Sequence, residues 1–131
     1  MSTASRIRLS NVVFDAPDAP DAREPAAFYV RLLGYRIRTD EPGWVVIGPP
    51  DGTGTALAFR TERSYVPPMR PAGPGDQRMM LHLDIEVDDL AAATERALAE
   101  GAKPADHQPQ EDVRVLLDPA GHPFCLWARG G

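Results

Sequence analysis

Two short stretches hold most of the side chains able to do chemistry. Residues 81–87, LHLDIEV, set His82 and Asp84 two positions apart, and residues 118–127, DPAGHPFCLW, carry the chain's only cysteine, Cys125, next to Trp127. His82 is the candidate general base or metal ligand, because imidazole titrates near neutrality. On an extended strand Asp84 lies on the same face, about 7 Å away at Cα, close enough to orient the ring if the two side chains lean together. The plainer reading of His82 is a pocket histidine held by a neighbour. Cys125 acts as a nucleophile only beside a base or a helix N-terminus, and a mid-strand position supplies neither. Arg60 pairs with Asp84 or meets an anionic ligand. Trp44 and Trp127 wall a pocket or pack in a core. His107 and His122 fall in turn text and are expected to face solvent, and the segment from Asp118 to Gly121 is a turn, not a phosphate loop.

The elements that must position these residues are legible from period and punctuation. Residues 7–14 form a strand-like run, followed by a helix over 23–33. Asp21 is its expected N-cap, with Glu24 at capping-box spacing and Pro25 in the first turn. Phe28, Leu32 and Leu33 make its apolar stripe and Gly34 its stop. Strands over 35–38, 44–47 and 56–60 follow, divided by EPG and PPDGTG. Residues 61–78, rich in proline and glycine, form an ordered surface linker. The order then repeats: a strand over 79–87, a helix over 89–100 with Leu90, Ala93, Ala97 and Leu98 on one face, and strands over 103–106, 113–117 and 124–127. Asn11 and His82 hold equivalent places in the two units, as do Ala58 and Cys125. The fold class is therefore α+β, with two βαβββ modules in tandem (5–60 and 79–129) within one domain over 1–131.

Alternation sorts the faces. Leu81, Leu83, Ile85 and Val87 turn toward a helix, while His82, Asp84 and Glu86 turn away. By the repeat, the second face also carries Leu9, Asn11 and Val13, then Ala56, Ala58 and Arg60, then Cys125 and Trp127. Apolar walls with a few convergent polar groups describe a small-molecule pocket, or else an interface between halves or chains. The ligand-binding set expected on this face is Asn11, Val13, Trp44, Ala58, Arg60, His82, Asp84, Cys125 and Trp127, with His82 and Asp84 as the catalytic candidates.

Composition narrows the class. The chain has 131 residues, 43% hydrophobic and 25% charged, as a soluble globular domain does. A net charge of −5 without a Lys/Arg cluster argues against nucleic acid. One cysteine makes no intrachain disulfide, the first ten residues lack a signal-peptide core, and no apolar run approaches a membrane span. The expectation is a cytoplasmic protein with neither membrane nor nucleic-acid partner.

The segments NVVFDAPD…AAFYVRLLGYRI, LHLDIEVDDLAAATERALAEGAKP and VLLDPAGHPFCLW resemble the vicinal oxygen chelate superfamily, in its glyoxalase-like branch with glyoxalases, bleomycin-resistance proteins and dioxygenases. The resemblance implies paired βαβββ modules curled into a cup with the helices outside, a homodimer, and a small organic molecule in the cup. Metal-dependent relatives take one ligand from the first and last strand of each module, at positions held here by Asn11, Ala58, His82 and Cys125. Only His82 is a usual occupant, Ala58 has no donor atom, and Cys125 stands where a carboxylate is expected. A catalytic divalent site needs three protein ligands and an open position. Metal-independent ligand binding without cofactor is thus the expected role. The alternative is a lyase, isomerase or dioxygenase using an atypical divalent metal at His82, or metal-free acid–base chemistry through His82 and Asp84.

Overall fold

A computed structural model describes residues 7–18 and 21–128. Residues 5, 6 and 129 of the expected modules lie outside the described residues. The first module runs β1 (Asn11–Ala16), α1 (Arg23–Leu33), β2 (Arg36–Glu41), β3 (Trp44–Gly48) and β4 (Ala56–Thr61). The second runs β5 (Leu83–Val87), α2 (Leu90–Glu100), β6 (Lys103–Pro104), β7 (Val113–Leu117) and β8 (Pro123–Ala128). The strands make two four-stranded mixed sheets, in the order β1-β4-β3-β2 and β5-β8-β7-β6. In each, the first strand runs parallel to the last and the other pairings are antiparallel. The tandem βαβββ architecture is therefore present, without a closed barrel. No helix among the described residues is long and apolar enough to cross a membrane.

Local chemistry explains the boundaries. α1 covers the expected residues, but its N-cap is Ala22 rather than Asp21, whose carboxylate instead accepts the Arg23 N–H at 3.0 Å. Gly34, at φ 72°, ends the helix as a left-handed residue. The Asp89 carboxylate caps α2 by accepting the Ala92 N–H at 3.1 Å. β5 is shorter than residues 79–87 because its partner β8 begins at Pro123, which has no N–H to offer, and a turn precedes it. Met80 and Leu81 are consequently exposed, at 93% and 57%. β6 is cut to two residues at Pro104, and the Gln108 side chain takes over its ladder. That amide accepts the Val115 N–H and donates to the Val115 carbonyl, both at 2.9 Å.

One core joins the modules. Phe14 stacks on Phe59 and Phe59 on Tyr29, whose other neighbours are Phe28 and Phe124, so the aromatic series runs from β1 through α1 into β8. The helices touch as well, where the Arg31 guanidinium donates to the Glu100 carboxylate at 2.6 Å and to its carbonyl at 2.8 Å. Residues 62–78 hold no helix or strand, while Thr61, expected in the linker, ends β4. A bridge between Met69 and Arg78 folds the segment back on itself.

Candidate functional site

The register of β5 with β8 places Asp84 directly opposite Cys125. His82 sits just before β5, and its Nε2–H donates to Asp84 Oδ1 at 3.0 Å. The two side chains do lean together. One ligand atom each from His82, Asp84 and Cys125 fall within 4.8 Å of one another. Into this group reaches a residue that the sequence did not single out: Arg70, from the folded-back segment, sets Nη1 3.2 Å from Cys125 Sγ. A polar cleft of about 260 Å³ opens here, walled by Trp127 and Val113 and rimmed by Gln110 and Asp112. Imidazole and guanidinium donate into it, two carboxylates accept, and the indole gives a flat apolar wall.

The first-module candidates do not line this cleft. Ala58 is fully buried and offers a ligand no surface. Asn11 donates to its neighbour Ser10 at 3.3 Å. Trp44 is half-buried, opposite Arg60 on β4 and Glu41 on β2. Arg60 does not pair with Asp84. Its guanidinium holds Asp15 at 3.1 Å and Glu62 at 3.4 Å, because parallel β1–β4 pairing puts Asp15 beside it. Val13 lines a second cavity of about 310 Å³, where β1 meets Tyr65, Leu81, His122 and Pro123 at the module junction.

His122 is the clearest departure from expectation, being 8% exposed rather than solvent-facing. The turn that starts at Asp118 folds the ring inward. Its Nδ1 lies 2.7 Å from Asp118 Oδ2, and its Nε2 lies 2.6 Å from the Asp15 carbonyl of the other module. Tyr29 donates its O–H to the same carboxylate oxygen at 2.9 Å. Burial opposes a charge on His122, but the hydrogen bond and charge of Asp118, helped by Asp15, raise its pKa overall. Burial first, then the Asp118 charge, raise the Tyr29 and Tyr65 hydroxyls. The i, i+4 spacing of Asp118 and His122 was a signal available in the sequence. The Asp15 carbonyl was not, since it comes from more than a hundred residues away.

Comparison with known proteins agrees with this architecture. A family model described as "Glyoxalase-like domain" matches residues 11–127. A glyoxalase/bleomycin resistance protein/dioxygenase family enzyme from Burkholderia phytofirmans PsJN is similar with a TM-score of 0.65 at 17% identity, covering 93% of this chain and 98% of that one. A glyoxalase-related enzyme from Fulvimarina pelagi is similar with a TM-score of 0.63 at 16% identity, over 93% of this chain and 88% of that one. A glyoxalase/bleomycin resistance protein/dioxygenase from Nocardioides has a TM-score of 0.51 at 22% identity, over 98% and 89% respectively. Comparison with curated proteins finds no match. Identities this low carry the fold, and the family model carries the membership: the chain belongs to the glyoxalase-like domain family of the vicinal oxygen chelate superfamily.

Proposed function

We propose that this chain binds a small organic molecule in the second-module cleft, without a metal and as a cytoplasmic homodimer. The observation that carries this reading is Arg70. A guanidinium 3.2 Å from Cys125 Sγ already places a fixed cation at the thiol, where a divalent ion would meet like-charge repulsion. The same guanidinium, with the His82–Asp84 pair and the Trp127 wall, suits a planar ligand bearing an acidic or carbonyl group. A volume of about 260 Å³ is small beside the roughly 300–1,000 Å³ of drug-sized sites, so the occupant is compact or projects from the cleft.

The second reading is an enzyme of the same superfamily, and one observation favours it. His82, Asp84 and Cys125 supply three donors within 4.8 Å, enough for an open catalytic site if Arg70 swings away. Metal analysis of protein purified without chelator decides between the two. Stoichiometric zinc, iron, manganese or nickel that disappears in His82→Ala would sink the metal-free reading. Metal-free protein whose melting temperature rises with aromatic acids, and rises less in Trp127→Ala, would support it. Light scattering in solution tests the dimer.

A further inference from the structure

We propose that His122 is a buried imidazolium that latches the two modules together, and that loss of its proton loosens the junction. The geometry carries this. Each ring nitrogen faces an oxygen at hydrogen-bond distance, Asp118 Oδ2 at 2.7 Å and the Asp15 carbonyl at 2.6 Å. A carbonyl only accepts. Asp118 is also committed to accepting: Oδ1 takes the N–H groups of Ala120 and His122 at 2.9 and 3.0 Å, and Oδ2 takes the Tyr29 O–H at 2.9 Å. With three donors already converging on it, the carboxylate is placed as the acceptor-only, charged form. A neutral imidazole carries one N–H, so either tautomer would aim a lone pair at an oxygen. Facing a charged Asp118 and a carbonyl, only the doubly protonated ring satisfies both contacts.

The surroundings hold the ring in place from every side. Phe14 of β1 meets it edge-on with ring centres 5.2 Å apart, and Tyr65 of the connecting segment does so at 5.7 Å. The Tyr65 O–H donates to the Ala120 carbonyl at 2.9 Å, closing the turn over the histidine. The titratable and charged groups around it are Tyr29 from α1, Asp118 from the turn, and Tyr65 from the connecting segment. Asp15, Glu62 and Arg78 line the junction cavity beside it, and Asp15 is tied to Arg60. The latch therefore joins the end of β1 to the turn that launches β8, the strand bearing Cys125 and Trp127. Because His122 and Pro123 line the junction cavity, loosening this contact enlarges it.

The sign follows from the direction of the shift. A histidine with a raised folded-state pKa stabilises the fold fully below its unfolded value of 6.5 and ceases to as pH climbs through the folded value. Long-range proton–nitrogen NMR of the ¹⁵N-labelled chain tests it directly, with the exposed His107 as an internal comparison. Both His122 ring nitrogens should show protonated shifts at about pH 7, and the denaturant midpoint should fall as pH rises beyond that. His122→Gln should remove that slope. A neutral His122 with one protonated nitrogen at about pH 7 would overturn the proposal, and so would an unchanged slope in His122→Gln. The NMR result decides by itself if that variant does not fold.

Discussion

Tyr29→Phe deletes one buried O–H and keeps everything else of the side chain. The ring is fully buried, with centres 5.8 Å from both Phe59 and Phe124, and phenylalanine preserves those contacts. What is lost is the 2.9 Å hydrogen bond to the carboxylate of Asp118, a residue only 3% exposed. Bonds to charged groups contribute roughly 1.5–3 kcal/mol, so a loss of about 2 kcal/mol is expected. For a domain of this size that corresponds to a fall of about 6 °C in melting temperature. Tyr65→Phe is the matched control. Its O–H meets a neutral carbonyl at the same 2.9 Å in a half-buried setting, and about 1 kcal/mol is expected there. Urea unfolding followed by circular dichroism measures both, provided the m-values stay equal. Equal costs for the two variants, or less than about 0.5 kcal/mol for Tyr29→Phe, would refute the idea that a buried, ionised Asp118 organises this junction.

Phe124→Ala should cost about 3–5 kcal/mol or prevent folding, since this ring is fully buried against Phe28 and Tyr29 across the module boundary. Ile37→Ala, at a site 53% exposed, should change the urea midpoint little by comparison. Asp89→Ala removes the carboxylate that caps α2 and should lower stability by about 1 kcal/mol, with the loss restored by Asp89→Ser. Arg70→Gln should weaken binding of an acidic aromatic probe about tenfold in a titration, equivalent to ~1.4 kcal/mol. Its effect on the melting temperature should be small, because the guanidinium reaches Cys125 from a segment outside the sheets.

The sequence disclosed what is local. Apolar stripes and the glycines at 34 and 101 located both helices, and strand alternation put His82 and Asp84 on one face with Cys125. What escaped depends on the partner of each segment. Residues 79–82 have the alternation of a strand, but Pro123 denies them a ladder neighbour. Residues 103–106 likewise lose theirs to a glutamine side chain. Arg70 stands among prolines with no period around it, so only the fold-back of its segment brings it to the thiol. His122 sits in turn text, yet the turn closes against the other module and buries it.

The pairing registers sharpen the repeat and expose its asymmetry. Val13 opposes Ala58 in the first sheet as Asp84 opposes Cys125 in the second, and these are equivalent positions of the two modules. The first pair is apolar and ends in a residue with no accessible surface, whereas the second is polar and opens on a cleft. The same backbone position therefore packs in one half and borders a polar cleft in the other. Substitutions at the two equivalent sites should separate accordingly. Ala58→Cys adds a sulfur where no space is exposed, and overpacking of this kind costs about 1–3 kcal/mol. Cys125→Ala should instead abolish labelling by a thiol reagent in unfolded protein and alter ligand affinity, while unfolding near the wild-type urea concentration. If Ala58→Cys leaves stability untouched and instead creates a thiol reactive in the native protein, the first sheet is as open as the second and the division of labour fails.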